Sequence, residues 1–127
     1  TIMEGGMPPT PEPRTIEEDA CWARDNMDFK NALYLFEVSA AVEGQDSPRV
    51  HLNLGYIHFH ALGDPTGNIN LWKTLWHFNK YIQLTEPNYL HFQILRIMDT
   101  LVKELIKFPE YIPCLKELGF IDFDTPI

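Results

Sequence analysis

At 127 residues, with 45% apolar and 13% aromatic side chains, the chain is the size of one domain and can bury a core without metal or disulfide staples. It carries 18 acidic and 10 basic residues, a formal charge of −8, with the positives scattered along the sequence. That excludes a phosphate-neutralising surface, so nucleic acid and anionic membrane are not expected partners, and a protein partner with a basic or apolar surface is favoured.

Residues 1–14 hold Pro8, Pro9, Pro11 and Pro13 with Gly5 and Gly6 and almost no apolar periodicity, which predicts a disordered or extended arm. Residues 15–127 read as a single helical domain. Thr15 with Glu18 three residues on is a capping box, opening a short helix to about Arg24. A second helix is predicted over about 28–43, where Phe29, Ala32, Leu33, Phe36 and Ala40 recur at helical spacing, and Gly44 stops it. Ser47-Pro48 starts a third, carrying Leu52, Tyr56, Phe59 and Leu62 and ending at Gly63. The turn-rich stretch from Asp64 to Asn68 is a loop, after which Asn70 caps a helix to about Leu84 with Leu71, Leu75, Phe78 and Ile82 on its stripe.

Glu86-Pro87 reads as the start of a long helix to about Lys107, with Leu90, Ile94, Ile97, Met98, Leu101 and Leu105 inward. Pro109 breaks it, a short helix over about 110–118 follows, and Gly119 ends that. Strand character is weak everywhere except over Phe120 to Phe123. No stretch approaches the roughly 20 apolar residues of a membrane span, and none reads as a secretory leader, so a cytoplasmic protein is expected. The numbering opens at Thr1, which leaves any leader or preceding domain out of view.

An internal echo is the most informative pattern. Leu33 and Phe36 recur as Leu75 and Phe78 at an offset of 42 residues, which also sets Asn31-Ala32 against Lys73-Thr74. Between the copies lies Asn53-Leu54-Gly55. On these residues the chain resembles Sel1-like repeats, a branch of the tetratricopeptide superfamily. The first helix of that repeat carries an Asn-Leu-Gly step, matched by Asn53, Leu54 and Gly55. Its second helix is fitted closely by Asp28, Asn31, Ala32, Leu35, Phe36, Ser39 and Ala40, and loosely by Asn70, Lys73, Thr74, His77 and Phe78. The match covers about residues 28–84. It departs from the family in the 63–69 insertion, in Thr74 and Tyr81 at small-residue positions, and in His58 at an aromatic one. The resemblance implies an array of antiparallel α–α hairpins, here four to six helices, whose groove binds another protein. A glycine inside a helix points independently to a close helix crossing, and Ala32, Ser39, Ala40 and Ala41 offer a small-residue face to receive Gly55.

The chemistry-bearing residues favour binding over catalysis. The histidines are His51, His58, His60, His77 and His91, and no pair has the i, i+4 spacing of a helical zinc motif. His51 and His58, seven apart, share a face. The carboxylates Glu17, Glu18 and Asp19 suit a helix N-terminus. No phosphate loop, nucleophile elbow or Cys–His signature occurs, and no metal or cofactor is expected. Cys21 and Cys114 are expected as buried free thiols, since pairing them needs an oxidising compartment. Trp72 and Trp76, four apart at the edge of an apolar stripe, are candidate anchors for a partner. The expected function is therefore non-catalytic protein binding, as an adaptor, a chaperone-like binder or an inhibitor, through a surface including Asn53, Tyr56, His60, Trp72 and Trp76. The alternative is a helical-bundle enzyme or ligand-binding domain with a pocket lined by His58, His77 and His91.

Overall fold

The computed structural model describes residues 15–64, 66–67 and 69–121, and within them the chain is all helical, with no strand. The helices are α1 (Ile16–Asp25), α2 (Phe29–Val42), α3 (Pro48–Phe59), α4 (Leu71–Leu84), α5 (Tyr89–Leu105) and α6 (Ile112–Glu117), with a 3-10 turn over Pro109–Tyr111. The arm expected over residues 1–14 lies outside the described residues. Phe120 and Ile121 both form bends rather than a strand, and Asp122 and Phe123 also lie outside.

Side-chain caps set most of the starts. The Thr15 hydroxyl accepts the Glu18 N–H at 3.1 Å while the Glu18 carboxylate accepts the Thr15 N–H at 2.8 Å. Asp28, Ser47 and Asn70 each accept the N–H three residues on. The start of α5 differs from the sequence expectation. Pro87 does not occupy the first helical position; Asn88 is the cap, extended at φ −147° and ψ 175°, and its side-chain carbonyl accepts the Leu90 N–H. The last segment also differs, because the 3-10 turn takes residues 109–111 before α6 begins.

The helix stops explain the misplaced end of α3. It closes at Phe59, not at Gly63. Ala61 takes the left-handed conformation at φ 54°, and the Leu62 N–H reaches back to the Ile57 carbonyl. This is a Schellman motif, usually built on glycine. Met27, at φ 59°, ends α1 the same way, with the Asp28 N–H on the Ala23 carbonyl. Gly63 instead permits a close approach. A β-carbon there would lie 2.6 Å from the Phe29 carbonyl oxygen, so the loop sits against the first residue of α2.

The helices pack mainly on their neighbours in the chain: α1 on α2, α2 on α3, α3 on α4 and α4 on α5. Two apolar clusters result. The first joins Ala20 and Ala23, Ala32, Phe36 and Ala40, and Val50, Leu54 and Ile57. The second joins Leu75, Phe78 and Tyr81 with Ile94, Met98, Leu101, Leu105 and Leu115. Helix α3 stands between them, and this corrects its expected stripe. Leu52, Tyr56 and Phe59 are only half-buried against the second cluster, while Val50, Leu54 and Ile57 are fully buried in the first. A helix with neighbours on both sides carries two stripes. Three of the buried polar side chains are satisfied locally: Ser39 donates to Glu43 and Thr74 to the Asn70 carbonyl, both one turn away, and His91 meets the Thr85 hydroxyl.

Carboxylates fasten α1. Glu43, at the end of α2, accepts the Ile16 and Glu17 N–H groups at 2.9 and 3.0 Å, capping α1 from another helix. Glu17 accepts the Ser47 hydroxyl and pairs with Arg49 at the start of α3. Arg24 donates to the Asn53 side chain at 2.8 Å. Both cysteines are free, but neither is fully buried as expected: Cys21 is half-buried and Cys114 is exposed.

Candidate functional site

An aromatic groove opens where the start of α4 meets the end of α5. Asn70 fixes the first turn of α4 and so presents Trp72. Pro109 breaks the chain after α5 into a 3-10 turn that swings Tyr111 back over it. The Trp72 and Tyr111 rings stack with centroids 5.8 Å apart and planes at 25°. Phe108 stands across Tyr111 at 90° with centroids 6.4 Å apart. With Ile69, Asp64 and Glu110 they line a groove of about 500 Å³. Among the described lining residues there is no Lys or Arg. The Asp64 carboxylate accepts the hydroxyl and N–H of Thr66 at 2.7 and 2.8 Å, and these bonds hold its pKa below the ordinary value.

A histidine cluster fills the α3–α4 contact. His51 Nε2 lies 2.8 Å from the Gln45 carbonyl oxygen, which can only accept, so that nitrogen carries the proton. Its Nδ1 is then bare, and His77 Nδ1, 3.0 Å away, donates to it. His58 stacks on His77 with centroids 6.0 Å apart, and Trp76 meets both His51 and His77 edge-on. Burial, reinforced by its histidine and Lys73 neighbours, depresses the pKa of His77 to about 3. Burial likewise lowers His51 and His58. All three rings are therefore neutral at pH 7. The described residues contain no group of three or more His, Cys, Asp and Glu side chains arranged to hold a metal ion.

His58 also borders a recess of about 290 Å³ that includes Glu37, Asp64, Asn70 and Lys73. Its Nε2 is buried without a hydrogen-bond partner among the described residues. Across the recess, Lys73 Nζ lies 3.7 Å from the Glu37 carboxylate.

The residues singled out in the sequence do not form one surface. Trp72 is in the groove. Trp76 packs on the histidines, with Lys80 Nζ 5.3 Å from its ring centroid. Asn53 is committed to Arg24 and to the Arg49 carbonyl. Tyr56 stacks on the exposed His60 and meets Phe78 edge-on. The expected His58–His77–His91 pocket does not assemble as a trio. His91 lies apart, beside Thr85 and Tyr81, and His51 takes the third place, as its shared face with His58 allows. Sequence reading missed Phe108 and Tyr111, although aromatics flanking a helix-breaking Pro109 lie off any apolar stripe and are a usable signal. No family model, no curated protein and no solved structure matches the chain.

Proposed function

We propose that the chain is a non-catalytic protein-binding module built from Sel1-like, tetratricopeptide-type helix pairs, acting on a partner with a basic or apolar surface. The observation that carries the binding reading is the groove of Trp72, Phe108 and Tyr111 edged by Asp64 and Glu110, because desolvated aromatics are the usual anchors of protein interfaces. The repeat reading is supported by matching burial at two pairs of the echo, Ala32 with Thr74 and Phe36 with Phe78, while Leu33 is half-buried where Leu75 is fully buried. Packing between chain neighbours supports it as well. Free thiols at Cys21 and Cys114 suit a cytoplasmic setting, and no helix among the described residues is long and apolar enough to cross a membrane.

Selection from a displayed random-peptide library tests the binding reading. The chain is expected to enrich a peptide family whose binding is lost in Phe108→Ala. No enrichment, or enrichment indifferent to Phe108, counts against it. A second reading, a small-ligand or catalytic recess, is favoured by the unpartnered His58 Nε2 among Glu37, Asp64, Asn70 and Lys73. Fragment binding that perturbs the His58 and Lys73 resonances supports that alternative; perturbation confined to the aromatic groove opposes it.

A further inference from the structure

We propose that the Trp72–Phe108–Tyr111 groove receives an arginine side chain of the partner protein. The inference rests on the protein-binding reading and names the chemistry of that same site. Helix α4 supplies an internal comparison. Its two tryptophans are one turn apart, and Trp76 already has a resident cation in Lys80, 5.3 Å from the ring centroid. Trp72 borders a groove with no Lys or Arg among its described lining residues and with Asp64 and Glu110 at its edge. Nearby cations are engaged elsewhere: Lys107 with Glu104 at 3.1 Å and Lys73 with Glu37 at 3.7 Å.

The ring geometry suits a guanidinium. Trp72 and Tyr111 stack on one another at 25° and both line the groove, so aromatic rings border the place where a planar cation would lie. Phe108, 48% exposed and perpendicular to Tyr111, forms a wall against the aliphatic stem. Bonds from Thr66 favour the ionised form of Asp64, and Glu110 is exposed, so negative charge stands where guanidinium donors would reach it. The charge of −8 attracts a basic partner over longer range.

The test uses a labelled nine-residue peptide of alternating Leu and Arg, and the same peptide with neutral citrulline at every Arg. Anisotropy against the full chain is expected to show the Arg peptide binding at least about tenfold tighter. Glu110→Gln should remove several-fold of that advantage, Phe108→Ala should weaken the Arg peptide further, and Glu86→Gln, an exposed charge before α5, should do neither. Equal binding of both peptides, with Phe108→Ala weakening both, overturns the arginine assignment and leaves the binding reading standing. Equal losses from Glu110→Gln and Glu86→Gln overturn it in favour of diffuse attraction. Binding of neither peptide overturns it too, and the library selection then decides the broader reading separately.

Discussion

A β-carbon built at Gly55 lies 2.4 Å from the Phe78 ring, which is itself fully buried. The glycine expected to mark a close helix crossing does so, against α4 rather than against the small residues of α2. Gly55→Ala is therefore expected to destabilise. Overpacking costs about 1–3 kcal/mol and outweighs the gain of about 1 kcal/mol from removing a helical glycine. Urea unfolding of Gly55→Ala, with and without Phe78→Leu to make room, checks this; the double variant should recover part of the loss. Ala61 invites the opposite change. Its left-handed φ of 54° strains a residue with a β-carbon. Ala61→Gly is expected to stabilise by about 0.5–1 kcal/mol, after allowing for the greater freedom glycine gives the unfolded chain. A lower melting temperature for that variant would contradict the Schellman assignment.

At the scale of elements, the start signals at Thr15, Ser47 and Asn70 are legible because cap and first turn lie within four residues of sequence. The stop of α3 is not, because Ala61 stands where glycine is usual. The start of α5 departs from expectation because Pro87 sits just before the cap instead of just after it. The groove and the histidine cluster are only half legible: helix periodicity shows that His51 and His58 share a face, but not that His77 on another helix meets both. Nothing local in sequence marks Glu43 as the cap of α1 either, since its acceptor geometry spans a helix pair. Its pKa is lowered chiefly by the Ile16 N–H, then by the Ser39 hydroxyl and the Glu17 N–H. This support is present above the ordinary carboxylate value and fades as pH falls through the lowered one. Glu43→Gln is expected to raise amide exchange at Ile16 and Glu17 first, leaving α4 and α5 protected. Uniform loss of protection would show that α1 is not an independently loosened element.

Across the whole molecule, the three neutral histidines make the α3–α4 contact sensitive to acid. In each the folded pKa lies below the unfolded value of about 6.5, so the unfolded chain binds protons first as pH falls. Their contribution is complete above about pH 6.5 and is lost progressively below it, the loss at His77 continuing towards its pKa of about 3. Urea unfolding between pH 8 and pH 4 should show this decline, and His77→Phe should flatten it. The charged groups around the cluster are Lys73, Lys80, Glu37, Asp46 and Asp64. An identical slope in His77→Phe would assign the acid response to them or to His51 and His58 instead.

Packing between chain neighbours also governs how the fold forms. Each principal helix contact closes a short length of chain, so little loop entropy is lost before contacts form, and refolding on the microsecond-to-millisecond scale is expected. Among the described helices, α3 alone contributes residues to both apolar clusters. Leu54→Ala, in a side chain with no exposed area, should slow refolding more per unit of lost stability than Leu115→Ala at the far end of the chain, which should mainly hasten unfolding. On that view α3 is the nucleus on which the hairpins at either side condense.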